Sequence, residues 1–489
     1  MTATKVEEAN SSEGSPVPAG IIGKRHLQIF LLFLGMTISY GLRVSMSVAI
    51  VAMTDNSTTA NPNFETFEWN SGTKALILSS FFWGYTITQI PAGYLAGIWS
   101  AQRLLSMGIF VCGLLTLVVP FGSYHGSWIS VCICRVGMGL CQGCLLPCAQ
   151  TLIAKWAPPN ERARLGTWAY AGGQFGTVVT MPISGLLAGS VIGWPSIFYI
   201  FGSIAIIWAI VFFFYGSDSP GLHPSISHAE KLYIEGSLGI LPGTLPKNKL
   251  EKSTTPWKEI FTSAPMWSLI IVHCGQNWGY WMLLTEMPTY MKKVLKFNIE
   301  ESGSTTALPY LANWLLSFPV SWLSDFALQK GVSRGTSRKV SNTIAHWGPG
   351  LALLSLCFVP TNNGNQILPV MILVISVGLN AGALCGFQIN HIDLSPNYAG
   401  TMMSITNCIA SVVAILAPLI VGEIVYDEED QHLWHIVFYI SAFIYFVGNL
   451  VFIIFGKAEI QWWNDPKEVK ARKERKLHGN HEMGSQKHI

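Results

Sequence analysis

Stretches of about twenty mostly apolar residues recur twelve times along this 489-residue chain, and few folds accept that pattern. They run over 27–53, 75–97, 103–121, 127–154, 163–190, 194–216, 265–290, 303–326, 337–359, 367–391, 400–423 and 433–456. A helix of that length crosses the hydrocarbon of a bilayer. Backbone in hydrocarbon must satisfy its own hydrogen bonds, so helices are expected rather than open strands. Composition agrees, because half of the residues are hydrophobic and only 12% are charged. That balance excludes an ordinary soluble enzyme. The expected fold class is an all-α membrane protein with twelve transmembrane helices in two six-helix halves.

Charge placement sets the expected organisation. The loops after the first, seventh and eleventh stretches hold Lys74, Lys292, Lys293 and Lys296, but also an acidic run, Asp427-Glu428-Glu429-Asp430. Most other Lys and Arg outside the stretches, such as Lys24-Arg25, Arg162, Arg164 and Lys470 to Lys476, fall on the opposite side. The excess of positive charge on one side predicts that both termini are cytoplasmic. The layout is then a tail at 1–26, a six-helix half at 27–216, a linker at 217–264, a second half at 265–456 and a basic tail at 457–489. The net charge of +3 reflects this topology and implies no nucleic acid. Residues 1–20 are polar, so no cleavable signal peptide is expected and the first stretch starts insertion. Asn56-Ser57-Thr58 is a glycosylation sequon on the predicted outer loop. All ten cysteines fall inside the stretches. Cys141, Cys144 and Cys148 share one helical face, where small packing residues are the default and no metal site is expected.

Two arginines break the apolar pattern. Arg43 lies inside the first stretch and Arg135 inside the fourth. An arginine at bilayer depth costs roughly 2.5–3.5 kcal/mol on insertion scales. A chain that carries two is expected to face them onto a polar cavity that meets negative charge. The competing reading pairs them with an internal carboxylate or with backbone carbonyls. No Asp or Glu lies in the firmly apolar part of the first six stretches, which favours an anion path. A weak internal repeat supports two related halves. Ala157-Pro158-Pro159-Asn160-Glu161-Arg162 follows the fourth stretch, and Leu394-Ser395-Pro396-Asn397-Tyr398-Ala399 follows the tenth. No GxxxxGK[ST] phosphate loop is present, which argues against an ATP-driven pump.

Several segments, in order, carry a family resemblance. They are Tyr40-Gly41-Leu42-Arg43-Val44, Ser80-Phe81-Phe82-Trp83-Gly84-Tyr85 running on to Gln89-Ile90-Pro91-Ala92-Gly93, Trp156 to Arg162, and Gly386-Phe387-Gln388-Ile389-Asn390-His391-Ile392-Asp393. Over residues 24–465 the chain resembles the anion–cation symporter branch of the major facilitators. That branch contains sialin, the vesicular glutamate transporters and the sodium–phosphate cotransporters. Thr285-Glu286-Met287-Pro288-Thr289-Tyr290-Met291 looks most like the insect members named as inorganic phosphate cotransporters. The resemblance implies a facilitator fold, a site between two halves, and transport by their rocking. It implies a monomer in a lipid bilayer with a small anionic substrate, no cofactor, and sodium or a proton as coupling ion. A catalytic role is not expected.

The resemblance assigns Arg43 and Arg135 to anion binding. A guanidinium stays charged and offers a rigid donor fork. Tyr40 and Ser47 share the Arg43 face, and Gln142 shares the Arg135 face. Gln142 stands where proton-driven members carry glutamate, Leu78 where glutamate carriers have histidine, and Gln276 where they have a third arginine. These departures shift the expectation to sodium-coupled inorganic phosphate symport. Proton-coupled transport of an organic anion, sialic acid or glutamate-like, is the alternative, and a membrane enzyme or sensor the remote one. His273, Gln276, Asn277 and Tyr280 share a face of the seventh stretch that is expected to line the cavity. Interhelical bonding is an equal reading for His273. Asn277 and Gln276, with Glu286, are the expected sodium ligands, and Glu286 reads equally well as an interfacial carboxylate. Asn390 and His391 read as gating or structural residues. Asp325, with Arg338 and Lys339 beyond it, resembles a facilitator gate motif. Gly97 replaces the acid of its first-half counterpart, which leaves Arg103. The short N-terminal tail has no acidic dileucine signal, so the plasma membrane is expected rather than lysosomes or vesicles.

Overall fold

A computed structural model describes residues 23–54, 64–69, 71–238, 255–296, 299–359, 366–427, 429–472 and 474–475. Asn56, the expected glycan site, lies outside these residues. The described part is helical throughout, with no strand. The first half is α1 (Lys24–Met53), α2 (Ser71–Ile98), α3 (Ala101–Gln142), α4 (Leu145–Trp156), α5 (Arg162–Gly189) and α6 (Pro195–Tyr215). Two short helices follow, α7 (His228–Ser237) and α8 (Trp257–Phe261). The rest is α9 (Ala264–Lys293), α10 (Ile299–Gln329), α11 (Arg334–Leu356), α12 (Ile367–Leu379), α13 (Gly382–Cys385), α14 (Phe387–Leu394), α15 (Ala399–Ile424) and α16 (Gln431–Phe455).

These helices coincide with the apolar stretches, with two exceptions. The third stretch and the first part of the fourth are continuous in α3, where only Ser127, at φ 58 and ψ −162, leaves helical geometry to reverse the chain, and the rest of the fourth is α4. The tenth stretch is cut into α12, α13 and α14, with Gly386 at φ −85 and ψ −113 between the last two. Six of the helical runs are long and apolar enough to cross a membrane by strict hydropathy: Lys24–Ile50, Ala101–Trp156, Pro195–Tyr215, Ile367–Leu394, Pro396–Ile424 and Gln431–Phe455. In the others Gly, Pro, Ser, Thr and amide side chains dilute the apolar signal, although α2, α5, α10 and α11 still expose large apolar side chains such as Trp83, Leu186, Leu315 and Leu351.

Packing follows the small residues. In the first half α1 packs on α5, α2 on α3, and α3 on α6; in the second, α9 packs on α15 and α16, and α11 on α12 and α16. A Cβ at Gly84 would stand 2.2 Å from Val136 O, and one at Gly139 would stand 2.0 Å from Phe81 O. Only glycine lets α2 and α3 meet backbone to backbone there. That contact brings Phe81 of α2 beside Arg135 of α3. Between the halves, α2 packs on α15 and α10 on α5. The end of the bundle that carries α7 and α8 is called the inner end here. There Glu230 of α7 accepts from Lys24 N at 2.9 Å and Arg25 N at 3.0 Å, and so satisfies the free amides that open α1. Arg25 is ion-paired with Glu230 at 3.2 Å and Glu161 at 3.0 Å.

Candidate anion site and the seams between the halves

Arg43 and Arg135 converge on one aromatic cluster deep in the first half. They are 8% and 2% exposed. The Arg43 guanidinium lies 4.7 Å from the Phe81 and Tyr85 ring centres, 4.9 Å from Tyr40 and 5.9 Å from Phe82. The Arg135 guanidinium lies 5.0 Å from the same Phe81 ring. One long hydrogen bond runs from Arg43 Nη2 to Gln142 Oε1 at 3.4 Å, and Gln142 Nε2 reaches Cys112 Sγ at 3.4 Å. Arg43 Nε, Arg135 Nε and Arg135 Nη1 are buried without any hydrogen-bond partner. Among the described residues, neither arginine has a carboxylate in an ion pair. The arrangement therefore offers rigid N–H donors, three of which have no internal acceptor among the described residues. Cation–π attraction is worth about 2 kcal/mol or more when desolvated. Desolvating an unpaired ion costs several kcal/mol.

The other predicted site residues divide. Tyr40 stacks on Arg43 as the spacing suggests. Ser47 donates to Val44 O at 2.7 Å, so its proton is spent within α1. Tyr280 reaches the site from the second half, close enough to Arg43 and Tyr40 to interact electrostatically with both. It also lines a small cavity with Leu283, Tyr310, Ser376, Val377, Asn380 and Tyr445. Gln276 exchanges two hydrogen bonds with Asn380, which also donates to Ala345 O at 3.0 Å. Its amide thus ties α9 to α12. Asn277 is partly buried beside it. Glu286, also partly buried, is ten residues further along α9, about 15 Å by helical rise. The three expected sodium ligands do not converge.

At the inner end the halves are joined by charge. Asp325 of α10 accepts from Arg164 N at 2.7 Å and caps the start of α5. Arg338, beyond Asp325 in the gate-like sequence, donates from Nε to Asp393 at 2.7 Å. Asp393 also holds Arg162 of α5 at 3.1 Å. Asn390 donates to Lys457 O at 3.0 Å. His391 and His273 both contact the Thr406 hydroxyl, at 2.9 and 3.1 Å. On the other seam, Asn407 of α15 donates to Gln89 Oε1 at 2.8 Å and to the Tyr85 hydroxyl at 3.1 Å. Sequence reasoning quoted Phe81, Phe82, Tyr85, Gln89 and Asp393 inside motifs without giving them work. An aromatic run able to face a lone buried arginine was the available signal for the first three.

The architecture matches known proteins throughout. The model of the Major Facilitator Superfamily matches residues 29–418. A "Putative inorganic phosphate cotransporter" of Drosophila ananassae is 41% identical over 90% of this chain and 94% of its own length. The chain belongs to the major facilitator superfamily. Human "Sialin" is 35% identical over 93% of each chain. Among solved structures, the proton:xylose symporter XylE superposes with a TM-score of 0.67 at 15% identity, covering 91% of this chain and 99% of that one. FucP in its outward conformation gives 0.61 at 12% identity, covering 88% and 100%. This facilitator is thus a multi-pass membrane transporter and not an enzyme, with its halves sealed at the inner end in the conformation described.

Proposed function

We propose that this facilitator moves small oxyanions across its membrane by alternating access, with Arg43 and Arg135 as the binding groups. The observation that carries this reading is the pair of buried guanidiniums with unpartnered nitrogens and no carboxylate. A bound oxyanion supplies both the missing acceptors and the missing charge. Inorganic phosphate is the first substrate reading, supported by the relatives named as phosphate cotransporters at 41% and 40% identity. A compact organic anion is the second. The rings of Tyr40, Phe81, Phe82 and Tyr85 favour it, since they give the site apolar surface that phosphate alone does not use.

The coupling ion is sodium by the sequence expectation that rests on Gln142. Gln142 holds Arg43 and cannot titrate, which supports its not carrying a proton. The separation of Gln276 from Glu286 weakens that particular sodium set, and the buried contacts of His273 and His391 with Thr406 support the rival reading, protons. Both termini are read as cytoplasmic and the protein as a plasma-membrane monomer. The test is uptake of radiolabelled phosphate, glutamate and sialic acid into proteoliposomes, with sodium and pH gradients imposed separately. Accelerated exchange of at least one preloaded anion is the expected result. Failure of all three to exchange rejects this reading.

A further inference from the structure

Three polar side chains are buried in line where α9, α14 and α15 meet. His391 Nδ1 lies 3.1 Å from Gln388 O, a carbonyl that can only accept. Nδ1 therefore carries the hydrogen, and the neutral ring offers Nε2 as acceptor. Thr406 Oγ1 stands 2.9 Å from that Nε2, so the hydroxyl donates to it. His273 Nδ1 stands 3.1 Å from the same hydroxyl oxygen and must donate in turn. With the Thr406 hydroxyl turned to His391 the chain runs His273 Nδ1–H to Thr406 Oγ, Thr406 O–H to His391 Nε2, His391 Nδ1–H to Gln388 O. His273 Nε2 is left as a free base. Among the described residues it has no hydrogen-bond partner, and His273 as a whole is 4% exposed. It lies on α9 one turn from Asn277 and two turns from Tyr280, on the face turned to the anion site.

We propose that His273, Thr406 and His391 form a relay that carries the coupling proton from the central cavity to the inner seam; this rests on the anion-transport reading above. A proton binds His273 Nε2. The Nδ1–H bond of His273 breaks as its proton passes to Thr406 Oγ. The former Thr406 O–H bond breaks as that proton passes to His391 Nε2. His273 ends neutral, Thr406 ends as a hydroxyl, and His391 holds the charge against Gln388 O. That carbonyl is also a seam contact, because Gln150 Nε2 of α4 donates to it at 3.0 Å, and Tyr170 of α5 donates to Gln150. Parting the inner seam removes Gln150, wets His391 and lets the proton leave to the inner side. In the sealed conformation His391 is 0% exposed, so the proton does not leak. Thr406 Oγ1 is also 3.2 Å from Met403 O, which gives the hydroxyl a second position in which the chain is broken.

The titratable groups around the relay leave it as the free base. His346 of α11 lies at Asn342 O and edge-on to Phe387. Cys274 of α9, Cys385 of α13, Cys408 of α15, Tyr170 of α5 and Tyr445 of α16 are neutral in their ordinary states. The charged groups, Asp393 of α14 with Arg162 of α5 and Arg338 of α11, pair with one another. Asp325 of α10 is turned to the start of α5.

The decisive variant is Thr406→Val, which keeps the shape and removes the hydroxyl. Purified protein in proteoliposomes is assayed in two ways with each of radiolabelled phosphate, glutamate and sialic acid. Counterflow reads anion exchange without a net proton, and accumulation under an imposed pH gradient reads coupling. Wild type accumulates several-fold above equilibrium. Thr406→Val keeps counterflow within about twofold but its accumulation falls to equilibrium, while Thr406→Ser restores it. His273→Gln, which still bonds Thr406 but holds no proton at neutral pH, behaves as Thr406→Val does. Accumulation at the wild-type level in both Thr406→Val and His273→Gln overturns the relay, as does wild-type uptake that follows sodium and ignores the pH gradient. Absence of counterflow in wild type for all three anions rejects anion transport itself, a different outcome.

Discussion

The halves meet at the inner end along two seams that share a geometry and differ in chemistry. The α5–α10 seam is charged. Asp325 caps α5, Asp393 bridges Arg162 and Arg338, and aromatic pairs Trp168–Phe318 and Phe175–Trp314 lie beyond, at 5.0 and 5.3 Å. The α2–α15 seam is neutral. Gln89 donates to Ser411 at 3.3 Å, Asn407 to Gln89 and Tyr85, and Thr401 to Gly93 O at 3.3 Å. A neutral bond nets only about 1 kcal/mol, because water replaces it when the seam opens. Removing one member of a buried charge network leaves the others stranded. The charged seam therefore sets how firmly the inner end closes. The neutral seam shares Tyr85 with Arg43, and so ties closure to the anion site.

The largest effect is expected at Asp393. Asp393→Asn leaves Arg162 and Arg338, both buried, without their counter-charge, a loss of about 3–5 kcal/mol. The thermal unfolding midpoint of the detergent-purified protein should fall clearly, and an unchanged midpoint breaks the distinction between the seams. Asp325→Ala removes only a helix cap, worth about 0.5–2 kcal/mol. A reporter cysteine at Thr401, 4% exposed, should then be alkylated from the inner side roughly two- to thirty-fold faster. No change would mean that Asp325 does not hold the seam closed.

Much of this was legible in the chain and some was not. Helix positions follow from the length of the apolar stretches, so α1, α2, α5 and α6 fall within a few residues of their expected ends. The merger of two stretches at Ser127 was hidden, since a single residue in left-handed geometry leaves no compositional mark. Arg43 and Arg135 stood out because charge in an apolar stretch is costly. Their neighbours did not: Gln142 is 99 residues from Arg43 in sequence, and a pattern along one helix reports its faces but not its partner. The gate-like motif marked Asp325 and Arg338 but named a partner for neither. The structure gives Arg338 to Asp393, which sits on the helix that Gly386 sets off from α13.

Smaller effects sharpen the neutral side. Asn407→Ala removes the bonds to Tyr85 and Gln89; the loss of the Tyr85 bond alone, about 1 kcal/mol net, should raise the half-saturation for anion about fivefold with maximal rate little changed. Tyr85→Phe should match it, and the double variant should be no worse than either. Additive effects would show that Asn407 acts on the site by another route. Gly97→Asp is the mildest change. A Cβ there meets nothing within 4 Å, so the acid is accommodated one turn beyond Gly93, which packs against Gly400 and Ser404 of α15. Alkylation of the Thr401 reporter should slow by less than about sixfold, in keeping with a helix-end charge worth about 0.3–1 kcal/mol. A larger slowing would convert the neutral seam into a second charged one.

The central claim concerns Arg135, buried among rings with no carboxylate. The most direct measurement is anion counterflow by Arg135→Lys and Arg135→Ala, reconstituted at matched amounts of folded protein. A point charge cannot reproduce the two-pronged geometry of a guanidinium. Loss of such contacts is worth about 2–5 kcal/mol, so both variants should exchange anion at least roughly thirty-fold more slowly than wild type. Counterflow by folded Arg135→Ala at the wild-type rate and affinity would contradict the account, and would make Arg135 a structural residue held by the Phe81 ring.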